Sequence, residues 1–213
     1  MTAVEKLLSI SAEPLGPRPE TSPKELVPYS LGPELFKMLQ LKNGFYAFES
    51  ALHVFPITSP VGMSIEEWNA DALWRCNYRD FAEDLLFFAE DAFQDQFCLS
   101  ADRVLRFQAE TGATVNIADS IEGWAEKILR DYGYETAWEL ASKWQADKGP
   151  LPPGKRLMPK TPFFLGGEYS MENLWAGDSV EGMRFKADLA LQTRKLPDET
   201  AVRLIIGKKP YHH

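Results

Sequence analysis

The 213-residue chain is poor in the residues that most readily mark a function. Its two cysteines, Cys76 and Cys98, cannot build a disulfide framework and lack the spacing of a metal site. Each is expected as a buried or half-buried thiol in a reducing cytoplasm. Of three histidines, His212 and His213 form a terminal pair, which is more often inert than chelating. The third, His53, lies alone in an apolar run and is expected to pack or line an edge rather than act as a base. No apolar run approaches the ~20 residues that span a bilayer. The N-terminal MTAVEKLLSISAE has too short an apolar core, and carries acids, to read as a secretory signal. Basic charge is also scarce: 23 Lys and Arg face 31 Asp and Glu, a net charge of -8. Phosphate neutralisation by Lys and Arg supplies most nucleic-acid affinity, so DNA, RNA and anionic membrane surfaces are disfavoured. A basic protein partner suits this balance better.

What is present is an ordinary globular composition, 45% apolar and 25% charged, enough for a sizeable core. Residues 2–9 suit a short amphipathic helix through Val4, Leu7 and Leu8. Six prolines between Pro14 and Pro33 make a semi-extended lead-in, since each removes a donor and fixes φ. Pro33 then opens a helix to Lys42, stopped by Asn43-Gly44. Phe45 to Phe55 reads as a strand or hairpin. Ser64-Ile-Glu-Glu67 is a capping box for a helix carrying Trp68 and Trp74, which with Tyr78 suit core and rim. Leu85 to Ala89 is an apolar run of strand length, fit for a sheet covered on both faces. Phe97 and Leu99, Val104 to Phe107, and Val115 with Ile117 continue it as short strands joined by polar turns, an antiparallel meander. Asp119 with Glu122 resembles another capping box, ahead of a stripe of Ile121, Trp124, Ala125, Ile128 and Leu129. A break is expected at Gly133, then a helix from Tyr134 to Gln145.

Lys148 to Gly154 is the clearest boundary, and the charge changes sign beyond it. Residues 155–213 hold ten Lys or Arg against seven acids. A strand at Pro162 to Gly167, a helix from Asp178 to Arg194 and a strand from Ala201 to Ile206 are expected. This β-α-β extension is too small to be stable alone and should dock on the main domain. The organisation is thus a lead-in over 1–24, an α+β domain over 25–148 and the extension over 155–213.

Most candidate chemistry fails on inspection. Gly149 to Arg156 matches much of a phosphate-binding loop. However, Pro150, Pro152 and Pro153 offer no N–H, Arg156 replaces the magnesium-holding Ser or Thr, and a helix rather than a strand precedes it. Gly166-Gly167 is better explained as a tight strand exit. The strongest electrostatic feature is the segment from Asp80 to Asp102, with seven acids and no Lys, Arg or His. A solvated turn, a metal or hydrolytic site, and a protein-binding face all compete for it. The acids lack the alternation of a calcium loop and have no His, Ser or Cys constellation beside them. Acids around an exposed aromatic such as Phe93 could instead steer and anchor a basic partner.

At Asp91-Ala-Phe-Gln-Asp-Gln-Phe-Cys-Leu99 the chain resembles the SUKH superfamily, named for Syd and the yeast cell-wall-synthesis regulators of the Smi and Knr type. The resemblance includes Leu39 to Gly44, Ala51-Leu52, Glu110-Thr111-Gly112 and Trp124, and covers roughly residues 25–146. Gln94 stands where that family has a turn glycine. The tail, with Pro162 to Gly167 and Asn173-Leu174, is similar more loosely to the ends of some bacterial immunity-like proteins. The resemblance implies a central antiparallel sheet flanked by helices. It also implies a non-enzymatic immunity protein that neutralises a toxin, often a nuclease, or failing that a housekeeping adaptor. The expected docking face is Glu83, Asp84, Glu90, Asp91, Phe93 and Asp95. No catalytic residue, cofactor or metal is expected, and the cytoplasm is the expected compartment.

Overall fold

The alternating and continuous apolar segments fold into a six-stranded antiparallel meander with helices on both faces, in a computed structural model that describes residues 1–60 and 62–194. Strands β1 (Phe45–Ala47), β2 (Leu52–Val54), β3 (Leu86–Glu90), β4 (Gln96–Leu99), β5 (Val104–Phe107) and β6 (Thr114–Ala118) lie side by side in chain order. The α+β class and the meander agree with the sequence reading. All five residues of β3 are buried, as its unbroken apolar run requires.

Consecutive phenylalanines on β3 show why both faces must be covered. Phe88 meets Trp124 edge-on at 5.2 Å, while Phe87 meets Trp74 at 4.9 Å in the opposite layer. The first layer contains α1 (Ala3–Ile10), α2 (Gly32–Leu41) and α5 (Ile121–Arg130). The second contains α3 (Ile65–Trp68), a π-turn at Asp71–Arg75 and α4 (Cys76–Tyr78). Trp68, Trp74 and Tyr78 are all fully buried, so none of them forms a rim. Cys98 is buried, whereas Cys76 is exposed, contrary to expectation.

Capping ties the first layer together. The expected box at Ser64 with Glu67 forms on α3, and Thr2 with Glu5 makes another at the start of α1. On α5 the cap is Ser120, whose hydroxyl accepts from the Gly123 amide at 3.0 Å, rather than Asp119. Glu122 is released to the N-terminus of α1, where it accepts from the amides of Ala3 and Val4. Glu34 on α2 accepts from Ile121 in turn, at 3.0 Å. Carboxylates are favoured at helix N-termini, so each of these contacts joins two elements as well as capping one.

Helix α6 (Tyr132–Glu135) runs through Gly133, and breaks fall on either side of it, at Asp131 after α5 and at Ala137, with φ 58°, before α7 (Trp138–Lys148). The expected break at Gly133 is displaced because Asp131 caps α6 by accepting from the Tyr134 amide.

The extension begins with β7 (Lys155–Pro159) paired to β8 (Leu174–Asp178), two strands the sequence reading did not anticipate. Pro162 to Gly167 is a 3₁₀ turn over Phe163–Leu165 and not a strand. Gly166, at φ 84°, closes it. Helix α8 (Ser179–Thr193), capped by Asp178, follows as expected. Its Met183, Ala187 and Ala190 enter the main core, so the extension does dock. The strand expected at Ala201 to Ile206, and His212 and His213, lie outside the described residues. The lead-in is held along β1, with Ala12 donating to the Tyr46 carbonyl at 2.8 Å and Leu15 to that of Gly44 at 3.0 Å.

Trp124 is fully buried and joins β3 and β4 to α5 through Phe88 and Phe97. Trp124→Ala is expected to cost about 3–5 kcal/mol of unfolding free energy, measured by urea titration.

Candidate functional site

The acidic turn between β3 and β4 lies between two cavities, and its side chains divide between them. It is held by its own carboxylates. Asp91 Oδ1 accepts from the amides of Phe93 at 2.8 Å and Asp95 at 3.0 Å, and the Asp91 amide donates to the Asp95 carbonyl at 2.9 Å. Asp95 Oδ1 accepts from Ala109 at 2.9 Å, joining the turn to the end of β5. Such Asx contacts are the common use of Asp in tight turns.

Gln94 adopts φ 72°, the left-handed conformation that glycine would take without strain. A tertiary contact offsets the strain. Gln94 Nε2 donates to the Ser179 carbonyl at 2.6 Å, and its amide lies against α8 where Gly182 leaves room. A Cβ on Gly182 would come within 2.2 Å of Gln94 Oε1. Lys186, buried on the same helix, donates to the Phe93 carbonyl.

On one side of this turn is a cleft of about 740 Å³. Asp91, Phe93, Asp95 and Lys186 contribute to its lining from the turn and α8. Its lining also includes Glu110, Asp131 and Glu139, none of which has an ion-pair partner among the described residues. Of its three cations Lys143 is exposed and the other two are already engaged. Arg106 Nη2 is 2.7 Å from Glu135 Oε2, and Lys186 is bound to the turn. Aromatic rings make the walls: Phe163 and Tyr169 stack at 4.0 Å, with Phe93 edge-on to Phe163 at 5.0 Å. Tyr134, Phe164 and Tyr169 are at least half exposed, and all three line the cleft.

Burial and the neighbouring Asp95 push the Asp91 carboxyl up to about 7, against the opposing pull of Arg106, Lys186 and the Phe93 amide. Asp95 is raised too, chiefly by burial, with Lys186 and the Ala109 amide opposing. The floor therefore holds less negative charge at neutral pH than its two carboxylates suggest.

Glu90 points the other way. Its Oε1 accepts from Arg156 Nε at 2.8 Å and meets His53 Nδ1 at 3.1 Å, all three side chains being buried. Burial opposes its charge, but Arg156 and His53 outweigh that effect and hold the carboxyl at about 2. Arg156 Nη1 also donates at 3.0 Å to the carbonyl of Ser50. Ser50 ends a turn in which Phe48, Glu49 and Ser50 all have positive φ (51°, 52° and 67°), an expensive conformation for three non-glycine residues.

The six expected docking residues thus separate into three places. Glu83 and Asp84 are exposed before the start of β3, away from the turn. Asp91, Phe93 and Asp95 belong to the cleft floor, with Asp91 and Phe93 buried and Asp95 partly so. Glu90 lies under Arg156 and His53. Phe93 is not exposed, and the acids do not form one solvated face. Other acids of the run are paired elsewhere, Asp80 with the distant Arg194 at 2.6 Å and Asp102 with its neighbour Arg103 at 3.1 Å. Sequence reasoning missed the cleft walls, Arg106 with Glu135, and the Arg156–Glu90–His53 group. The only available signal was the buried strand itself, in which an acid must find a cation.

No family profile matches the chain, and no curated protein matches it. Among solved structures, the chain is similar to the crystal structure of Atu4351 from Agrobacterium tumefaciens. The TM-score is 0.54 and the identity 14%, over 86% of this chain and 87% of that one. At that identity the likeness concerns the fold alone.

Asp91 yields a pH test. A carboxyl raised in the folded state adds stability that is complete below about pH 4 and lost as pH rises through about 7. Asp91→Asn keeps an oxygen acceptor for both turn amides and removes the titration. Relative to wild type, it should gain on the order of 2–4 kcal/mol between pH 5 and pH 8 in urea unfolding. A difference independent of pH would contradict the raised carboxyl.

Proposed function

We propose that this protein is a non-enzymatic, cytoplasmic protein-binding module of the immunity type, which neutralises a basic toxin or effector by seating a cationic segment in the aromatic-walled cleft. The observation that carries the reading is the pairing of acids without cation partners among the described residues, Glu110, Asp131 and Glu139, with exposed Tyr134, Phe164 and Tyr169 around one concave site. Lys and Arg side chains gain from stacking on tyrosine rings, and charge complementarity speeds encounter. Tyrosine is also among the residues that most often dominate binding energy at protein interfaces. The overall charge of -8 supports a basic protein partner over a nucleic acid. The resemblance to the SUKH superfamily supports the toxin-neutralising role. Without a toxin, the same cleft would serve a housekeeping adaptor, and the neighbouring reading frame on the genome discriminates the two.

A metal-dependent hydrolase has one observation in its favour, the Asp91–Asp95 pair on the floor of a large cleft. Both carboxylates are nevertheless engaged with turn amides. Calorimetric titration with magnesium, manganese, calcium and zinc distinguishes the readings, since the hydrolase requires heat of binding.

Co-expression with the product of the adjacent gene should rescue growth. Asp131→Lys with Glu139→Lys should weaken the complex at least about tenfold and flatten its salt dependence. Tyr134→Ala and Tyr169→Ala should each cost about 1–2 kcal/mol. Glu83→Lys with Asp84→Lys should leave the dissociation rate unchanged. A complex insensitive to all the cleft variants would sink the proposal.

A further inference from the structure

Behind the turn, on the Glu90 side, is a second cavity of about 380 Å³. Its wall contains a row of four rings. Tyr46 stacks on His53 at 4.4 Å, His53 meets Phe55 at 4.3 Å, and Phe55 stacks on Trp68 at 4.7 Å. The volume falls within the range of small-molecule sites, which are mostly apolar with a few placed polar groups. Two polar groups of the lining bear on what it could hold.

The first is His53. Glu90 is anchored as a carboxylate by Arg156 and can only accept, so His53 Nδ1 must carry the proton in their 3.1 Å contact. Burial keeps the ring neutral. Nε2 is then a bare acceptor, and no residue among those described donates to it. The second is Ser179 at the start of α8, whose hydroxyl has no hydrogen-bond partner among the described residues but is itself fully buried and presents no surface to a ligand. The Ser179 backbone is committed elsewhere, its amide to the Gly154 carbonyl and its carbonyl to Gln94. Neither group takes part in the cleft described above, and of the two only His53 Nε2 is open to a ligand.

We propose that this cavity binds a small, neutral, mainly apolar ligand bearing one hydroxyl or N–H group. The donor is placed on His53 Nε2, and the body lies along the ring row. A carboxylate-bearing ligand is disfavoured, because Glu90 lines the same space and Arg156 is already bound to it.

Phenol is the probe, and anisole, of nearly the same shape but without a donor, is its control. In imidazole-ring ¹H–¹⁵N spectra of the intact protein, phenol at millimolar concentration should move the His53 Nε2 resonance upfield as that nitrogen accepts a hydrogen bond. Anisole and benzoate should bind at least about tenfold more weakly, since sites built for a hydroxyl reject analogues lacking it. His53→Phe should abolish the preference for phenol over anisole. Should that variant not fold, Tyr46→Leu, which removes one ring of the row, should reduce phenol and anisole affinity alike about threefold or more while the His53 signal still responds to phenol. Equal binding of phenol and anisole to wild type, or no response to phenol at about 10 mM, would overturn the proposal.

Discussion

A carboxylate at the end of a fully buried strand must find a positive partner inside the protein, and much of this structure follows from how Glu90 meets that demand. Its partner, Arg156, comes from β7, beyond the boundary at Lys148 to Gly154. That buried pair therefore joins the extension to the meander, alongside the core contacts of α8. The same guanidinium reaches the Ser50 carbonyl and lies over the Tyr46 ring, bracing the strained β1–β2 turn. Removing either charge would leave the other buried and unpaired, which typically costs about 3–5 kcal/mol.

The next residue repeats the logic with a different outcome. Asp91 and Asp95 share a turn whose amides they satisfy, and Lys186 from α8 supplies the nearby cation. One helix thus serves both sides of the turn. Lys186 faces the cleft, Ser179 faces the inner cavity, and Gly182 admits Gln94 between them. What looks in sequence like an acidic patch is a partition between two concave sites. The cleft acids without an ion-pair partner among the described residues, Glu110, Asp131 and Glu139, come from the β5–β6 turn and the α5–α7 region.

Periodicity made the fold legible. The apolar run at Leu85 to Ala89, the alternation after it and the stripe around Trp124 correspond to β3, β4 to β6 and α5. Helix α8 was equally plain. Local signals failed where a tertiary contact competed with them. Asp119 with Glu122 fits a capping box, but Ser120 takes the cap and Glu122 serves α1. Gly133 invites a break that Asp131 forestalls by capping α6. Strands β7 and β8 carry no clear alternation, because their register is set by each other and by the Leu157 amide donating to the Ala92 carbonyl. The site was less legible still. Acid density locates the turn but not the direction of each carboxylate, and the aromatic walls arrive from residues 134 to 169, far along the chain.

The division of the acidic run between interior and surface underlies both proposed sites, and it is directly measurable. Side-chain carboxyl ¹³C resonances followed by NMR from pH 2 to pH 9 report each acid separately. Glu90 should remain ionised down to about pH 2, and Asp91 should titrate near 7. Titration of both near 4, the ordinary range for solvated carboxylates, would mean that the run is an exposed acidic face after all and would contradict the account.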